Sequence, residues 1–144
     1  MPQAFRADLR AFPSSRVNVS CASPFMPKPM HVMIVEDDAL LAIDLADMLS
    51  HRGFQVIGPC SSVERALQAM AALQPDAAIL DIDLNGRMSF PVADALALRN
   101  VPFLWLSGSS PDTLPEPYRA RPFVGKPLVP AVILGELTDL LKRS

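Results

Sequence analysis

The sequence predicts an α/β fold in which a five-stranded parallel sheet is doubly wound, with helices on both faces. Three observations predict it. From residue 30 to the end of the 144-residue chain, short apolar runs alternate with stretches of helical period. Three of those runs, Val32 to Asp38, Ala78 to Asp81 and Phe123 to Pro127, stop at charged residues, as buried parallel strands do when their carboxyl ends hold a polar site. A composition that is 50% hydrophobic and 19% charged suffices for a full core, and the length suits one domain rather than two.

The elements follow in order. Strands are predicted over His31 to Glu36, Phe54 to Gly58, Ala77 to Asp81, Val101 to Ser107 and Pro122 to Lys126. The first helix, Ala39 to Arg52, places Leu41, Leu45 and Met48 on one face and stops at Gly53. The second, Ser62 to Leu73, does the same with Val63, Leu67 and Met70, with Ser61 or Ser62 as its N-cap. A third spans Phe90 to Asn100, where Pro91 is tolerated because it falls in the first turn. The last, Pro130 to Lys142, turns Ile133, Leu137, Leu140 and Leu141 inward, and Lys142 and Arg143 suit its carboxyl end. Between the fourth and fifth strands, Pro111, Pro115, Pro117 and Pro122 leave room for at most a short or irregular helix. That connection is expected to be loop-like and mobile.

Residues 1–29 differ from the rest, with five prolines, four serines and a basic bias (Arg6, Arg10, Arg16, Lys28 against Asp8). They are expected to form a disordered tail ahead of a domain over 30–144. Its arginines and scarce acids faintly resemble an organellar transit peptide, and because Met30 sits directly before the first strand, a mis-assigned start codon is the plain explanation for it. A net charge of -2 exerts no global pull on nucleic acid or an anionic membrane. No apolar run is long enough to span a bilayer. Cys21 and Cys60 have no metal-binding spacing and make no disulfide framework, so a reducing cytoplasm is the simplest expected compartment.

The chemistry lies at the strand ends. Glu36 and Asp37 follow the first strand and Asp81 ends the third. Two carboxylates about 4 Å apart repel by about 1 kcal/mol in water and nearer 4 kcal/mol at an effective dielectric of 20, so three in one cleft call for a cation. Hard oxygen ligands at a partly open site suit Mg²⁺. Beside such a metal a carboxylate can attack phosphorus, and Asp81, at the tip of the central strand, is the candidate nucleophile. Lys126 offers a cation and Ser107 a hydroxyl for the charge on the phosphoryl oxygens.

With these residues the chain resembles the CheY-like receiver domains of two-component response regulators, from Met30 to Lys142. Glu36 and Asp37 match the family's acidic pair, Asp81 its phosphoacceptor, Ser107 its switch hydroxyl and Lys126 its phosphate-contacting lysine; Asp37 and Asp81 stand 44 residues apart (81 minus 37), as is typical there. The resemblance implies a sheet of strand order 2-1-3-4-5. It also implies Mg²⁺ held by Glu36, Asp37, Asp81 and the backbone carbonyl of Asp83, a cis Lys126–Pro127 bond, and Phe123 as the aromatic that follows the Ser107 switch. The expected activity is acceptance of a phosphoryl group from a histidine kinase or phosphotransfer protein, with no reaction catalysed beyond its own phosphorylation and dephosphorylation. No DNA-binding module is expected beyond Ser144, and the expected output is a contact with an unidentified downstream protein, or phosphorelay. Oligomeric state is left open.

A narrower likeness joins Pro102 to Ser109 and Ser89 to Leu96 to the stand-alone FAT GUY receivers, with Ser107 and Ser109 in place of that group's threonine and tyrosine. Two other readings remain. A degenerate receiver would act as a binding module without phosphorylation. Asp81-Ile82-Asp83-Leu84-Asn85-Gly86 also looks like the Asp-x-Asp motif of haloacid-dehalogenase-type phosphatases, although only 63 residues (144 minus 81) follow it.

Overall fold

The computed structural model describes residues 28–143. All but the last two residues of the expected disordered tail lie outside the described residues, as does Ser144. Five strands, β1 (His31–Val35), β2 (Gln55–Cys60), β3 (Ala77–Leu80), β6 (Phe103–Ser107) and β7 (Phe123–Gly125), form one sheet in the order β2-β1-β3-β6-β7, and every pairing is parallel. Counting these five alone, the order is the 2-1-3-4-5 expected. Four helices, α1 (Ala39–His51), α2 (Val63–Ala72), α3 (Phe90–Leu98) and α4 (Pro130–Arg143), make the crossovers.

The strands read as unbroken apolar runs because both of their faces are covered. With period two, Met33, Val35, Ala78, Leu80, Phe103 and Trp105 turn into a core shared with α2 and α3. Val32, Ile34, Ala77, Ile79, Leu104 and Leu106 turn the other way, into a core shared with α1 and α4. The inward faces of two helices differ from the sequence expectation. In α1 the buried residues are Ala42, Leu45 and Leu49, with Leu41 and Met48 on the flanks. In α2 they are Val63, Ala66 and Met70, whereas Leu67 is 38% exposed. In each helix the buried face is turned by about one residue from the expected one. Ile133, Leu137 and Leu140 line the buried side of α4 as expected, with Leu141 half-buried beside them.

Two departures shape the site rim. β2 runs on past Gly58 to Cys60, through a cis Gly58–Pro59 bond and a register slip opposite Met33–Val35. Gly58 has φ +96°, and a Cβ there would stand 2.6 Å from the Cys60 nitrogen. The slip brings the Cys60 carbonyl to the Glu36 N–H, 3.0 Å away. Beyond β3, a small antiparallel hairpin pairs β4 (Asp83–Leu84) with β5 (Arg87–Met88). Its turn is Asn85-Gly86, both with positive φ (54° and 87°), which is the backbone a two-residue hairpin turn demands. Between β6 and β7 the chain makes only two single 3₁₀ turns, Pro111–Thr113 and Glu116–Tyr118, as the prolines require.

Candidate functional site

The carboxyl ends of β1 and β3 bring the three acids together. Glu36 and Asp81 are buried, at 3% and 6% exposure, and Asp37 is half-buried. One carboxylate oxygen from each lies within 4.8 Å of the others, inside the reach of a single small cation. Backbone bonds hold the strand ends in place: the Asp81 N–H donates to Val35 O at 2.8 Å and the Lys126 N–H to Ser107 O at 2.8 Å. Asp38, next in line, is not part of the cluster. Its Oδ1 accepts the N–H groups of Leu40 and Leu41 at 3.1 and 3.2 Å as the N-cap of α1.

Lys126 crosses from β7 and places its Nζ 3.1 Å from Asp81 Oδ2 and 3.0 Å from Glu36 Oε1. The first contact is a directed hydrogen bond. The second is close but poorly aimed, so the buried Glu36 Oε1 has no hydrogen-bond partner among the described residues. A buried carboxylate oxygen left in that condition is costly unless something else coordinates it. Burial pushes the Glu36 carboxyl up from 4.5 to about 7; the Asp38 N–H and Lys126 pull it down, and Asp81 pushes it further up. For Lys126, burial disfavours the ammonium, but the neighbouring carboxylates of Glu36 and Asp81 outweigh that and raise its pKa. Glu36 is thus held toward its protonated form. The orphaned oxygen and the all-oxygen donor set fit a hard divalent ion.

Every residue that the sequence assigned to the site sits at this rim or on the strands leading to it. Ser107 ends β6, is buried, and its Oγ accepts the Ser109 N–H at 3.1 Å. Phe123 pairs in register with Trp105 and packs, half-buried, against the core shared with α2 and α3. The Lys126–Pro127 bond is cis. The Asp83 side chain is exposed and accepts the Gly86 N–H at 2.6 Å. It caps the hairpin turn.

Sequence reasoning missed two contributors. The Asn85 N–H donates to Asp37 Oδ2 at 2.9 Å, so the hairpin steers that acid; the Asn-Gly pair is the signal that could have revealed it. Ser89 donates its hydroxyl to the Asp81 backbone carbonyl at 2.5 Å. A hollow of about 250 Å³ with Glu36, Asp37, Ile43 and Pro59 in its wall opens beside the cluster. Two larger hollows, about 530 and 590 Å³, lie at the opposite rim, where the strands begin.

Known proteins agree with this geometry. Residues 32–134 match the family model of the response regulator receiver domain; the match is to the receiver family as a whole, not to its narrower FAT GUY group. The chain is 30% identical over 116 residues to the transcriptional regulatory protein PdtaR of Mycobacterium tuberculosis, covering 74% of this chain and 57% of PdtaR. It therefore spans little more than half the length of that curated relative. The solution structure of SdrG from Sphingomonas melonis Fr1 superposes with a TM-score of 0.71 at 37% identity, over 81% of this chain and 99% of that one. The receiver domain of PhyR from Erythrobacter litoralis, at 23% identity and TM-score 0.70 over 79% of this chain and 91% of its own, shares the fold. With residues 32–134 matched by that family model, the chain belongs to the response regulator receiver domains.

Proposed function

We propose that the protein accepts a phosphoryl group on Asp81 from the phosphohistidine of a histidine kinase or phosphotransfer protein, with Mg²⁺ as cofactor, and passes the signal on by protein contact or relay. The observation that carries this reading is the placement of Asp81 between an ammonium 3.1 Å away and two further carboxylates within 4.8 Å. Glu36, Asp37, Asp81 and the Asp83 carbonyl would hold the ion, which when bound offsets the carboxylates' charge and polarises the phosphoryl oxygens.

The steps assigned to the chain's own residues are few. Asp81 attacks phosphorus; a carboxylate O–P bond forms as the N–P bond of phosphohistidine breaks, and the imidazole leaves with the electron pair and takes a proton. Lys126 holds Asp81 beforehand and balances the phosphoryl charge afterwards. Ser107 supplies a hydroxyl to the same oxygens, and its turning toward them carries the signal to Phe123 and the 3₁₀ segment. Incubation with a phosphorylated histidine kinase and Mg²⁺ tests the reading. Label should pass to the wild-type chain and not to Asp81→Asn; equal labelling of both, or of neither, would overturn it.

A further inference from the structure

Ser89 lies outside the group that phosphoryl transfer uses, yet it is fully buried, at 0% exposure. It is the residue before α3, where a serine hydroxyl ordinarily caps the helix. Here it makes no cap bond. Its Oγ donates instead to the Asp81 carbonyl at 2.5 Å, and its N–H donates to Ile82 O at 2.8 Å. The hairpin between Asp81 and Ser89 is thereby closed into a loop, and the peptide of the acceptor is gripped from behind.

The next residue extends the connection. Phe90 stacks on Tyr118, the rings 4.4 Å apart and 8° from parallel, and meets Trp105 edge-on at 6.1 Å. Tyr118 belongs to the second 3₁₀ turn. Its hydroxyl donates to Asp94 Oδ1 at 2.9 Å, and its carbonyl accepts the Trp105 indole N–H at 3.0 Å. The segment between β6 and β7 is also pinned by the buried Leu114 and by Arg119 Nε donating to Leu114 O at 2.7 Å. A continuous set of contacts therefore runs from the Asp81 peptide through Ser89, Phe90 and Tyr118 to this segment, bypassing both Ser107 and Phe123.

We propose that Ser89 is a positioning residue for Asp81, and that the Phe90–Tyr118 stack is a latch through which the 3₁₀ segment follows the state of the acceptor. The proposal rests on Asp81 being the phosphoacceptor. A change in the Asp81 peptide shifts Ser89, and because Phe90 is bonded to Ser89 its ring moves with it. The segment then either keeps its stacking partner or loses it, a two-state choice that one aromatic pair can bias.

Trp105 is the sole tryptophan and touches both rings of the latch, so its emission reads the latch directly. The experiment compares the full-length wild type with Ser89→Ala, Ser89→Thr and Phe90→Leu, before and after a small-molecule phosphodonor and Mg²⁺. Before phosphorylation, Ser89→Ala should already shift the emission. After it, the wild-type emission should change; Ser89→Ala should be phosphorylated about tenfold more slowly and lose that change, and Ser89→Thr should recover both. Phe90→Leu should keep the wild-type rate but lose the emission change, which separates the latch from any general loss of structure. The proposal is overturned if Ser89→Ala matches the wild type in rate and in emission, or if Phe90→Leu retains the full emission change. A wild type that takes no phosphoryl group defeats the phosphoacceptor reading instead, and the emission of unphosphorylated Ser89→Ala then decides the coupling alone.

Discussion

Lys126 is bonded to Asp81 and crowds Glu36, so it competes for the same oxygens that would bind a cation. A unit charge about 4 Å away is worth about 1 to 4 kcal/mol between water and an effective dielectric of 20, and 1.4 kcal/mol is a factor of ten. Lys126→Met should therefore tighten Mg²⁺ binding on the order of tenfold while slowing phosphorylation, a split that calorimetric titration and a labelling time course would show. Loss of both, or of neither, would mean the ammonium is only structural. The acids, Ser107 and Lys126 were legible in the sequence because each is a polar residue that terminates an apolar strand. Ser89 was not, because it acts through a hydrogen bond to the backbone, which leaves no pattern of residue types; Asn85 left only the Asn-Gly turn signal, which does not say which acid the turn reaches.

At the scale of elements, the end of β2 is the feature that the sequence concealed. Gly58 and Pro59 look like a stop, but the left-handed Gly58 lets the strand slip one residue and re-pair at Cys60, whose carbonyl anchors Glu36. Gly58→Ala places a methyl against backbone and forces an L-residue into a conformation costing about 1 to 3 kcal/mol, before the steric clash is counted. It should lower the melting temperature by several degrees and weaken Mg²⁺ binding through Glu36. An unchanged melting curve would show that the slip is incidental. The inward faces of α1 and α2 were also misread by about a residue, since periodicity shows that a stripe exists but not its exact register. The proline-rich connection was read correctly as lacking a regular helix, yet its aromatic and arginine anchors involve residues distant in sequence that only the fold brings together.

For the whole molecule, alternation of buried runs and amphipathic stretches was enough to imply the wound parallel sheet, because a chain this short has few other ways to cover both faces of five strands. Its stability should carry the imprint of the site. Glu36 ionises near 7 in the folded chain against an ordinary 4.5. Between those values the folded state holds the proton and the unfolded state does not, so rising pH favours unfolding until about pH 7. The metal-free protein should thus lose thermal stability from pH 5 to pH 7. Saturating Mg²⁺, which binds only the folded, deprotonated site, should restore it, and Glu36→Gln should flatten the profile. A metal-free wild type whose melting temperature rises over that window would refute the assignment of the buried proton.

On the proposed function, Asp81 carries the phosphoryl group. Reduction of the phosphorylated protein with borohydride converts an aspartyl phosphate to homoserine, and peptide mass mapping then locates it. Conversion is expected at position 81 alone, dependent on Mg²⁺; conversion at another acid, or none in protein shown to carry label, would rule out Asp81 as the acceptor.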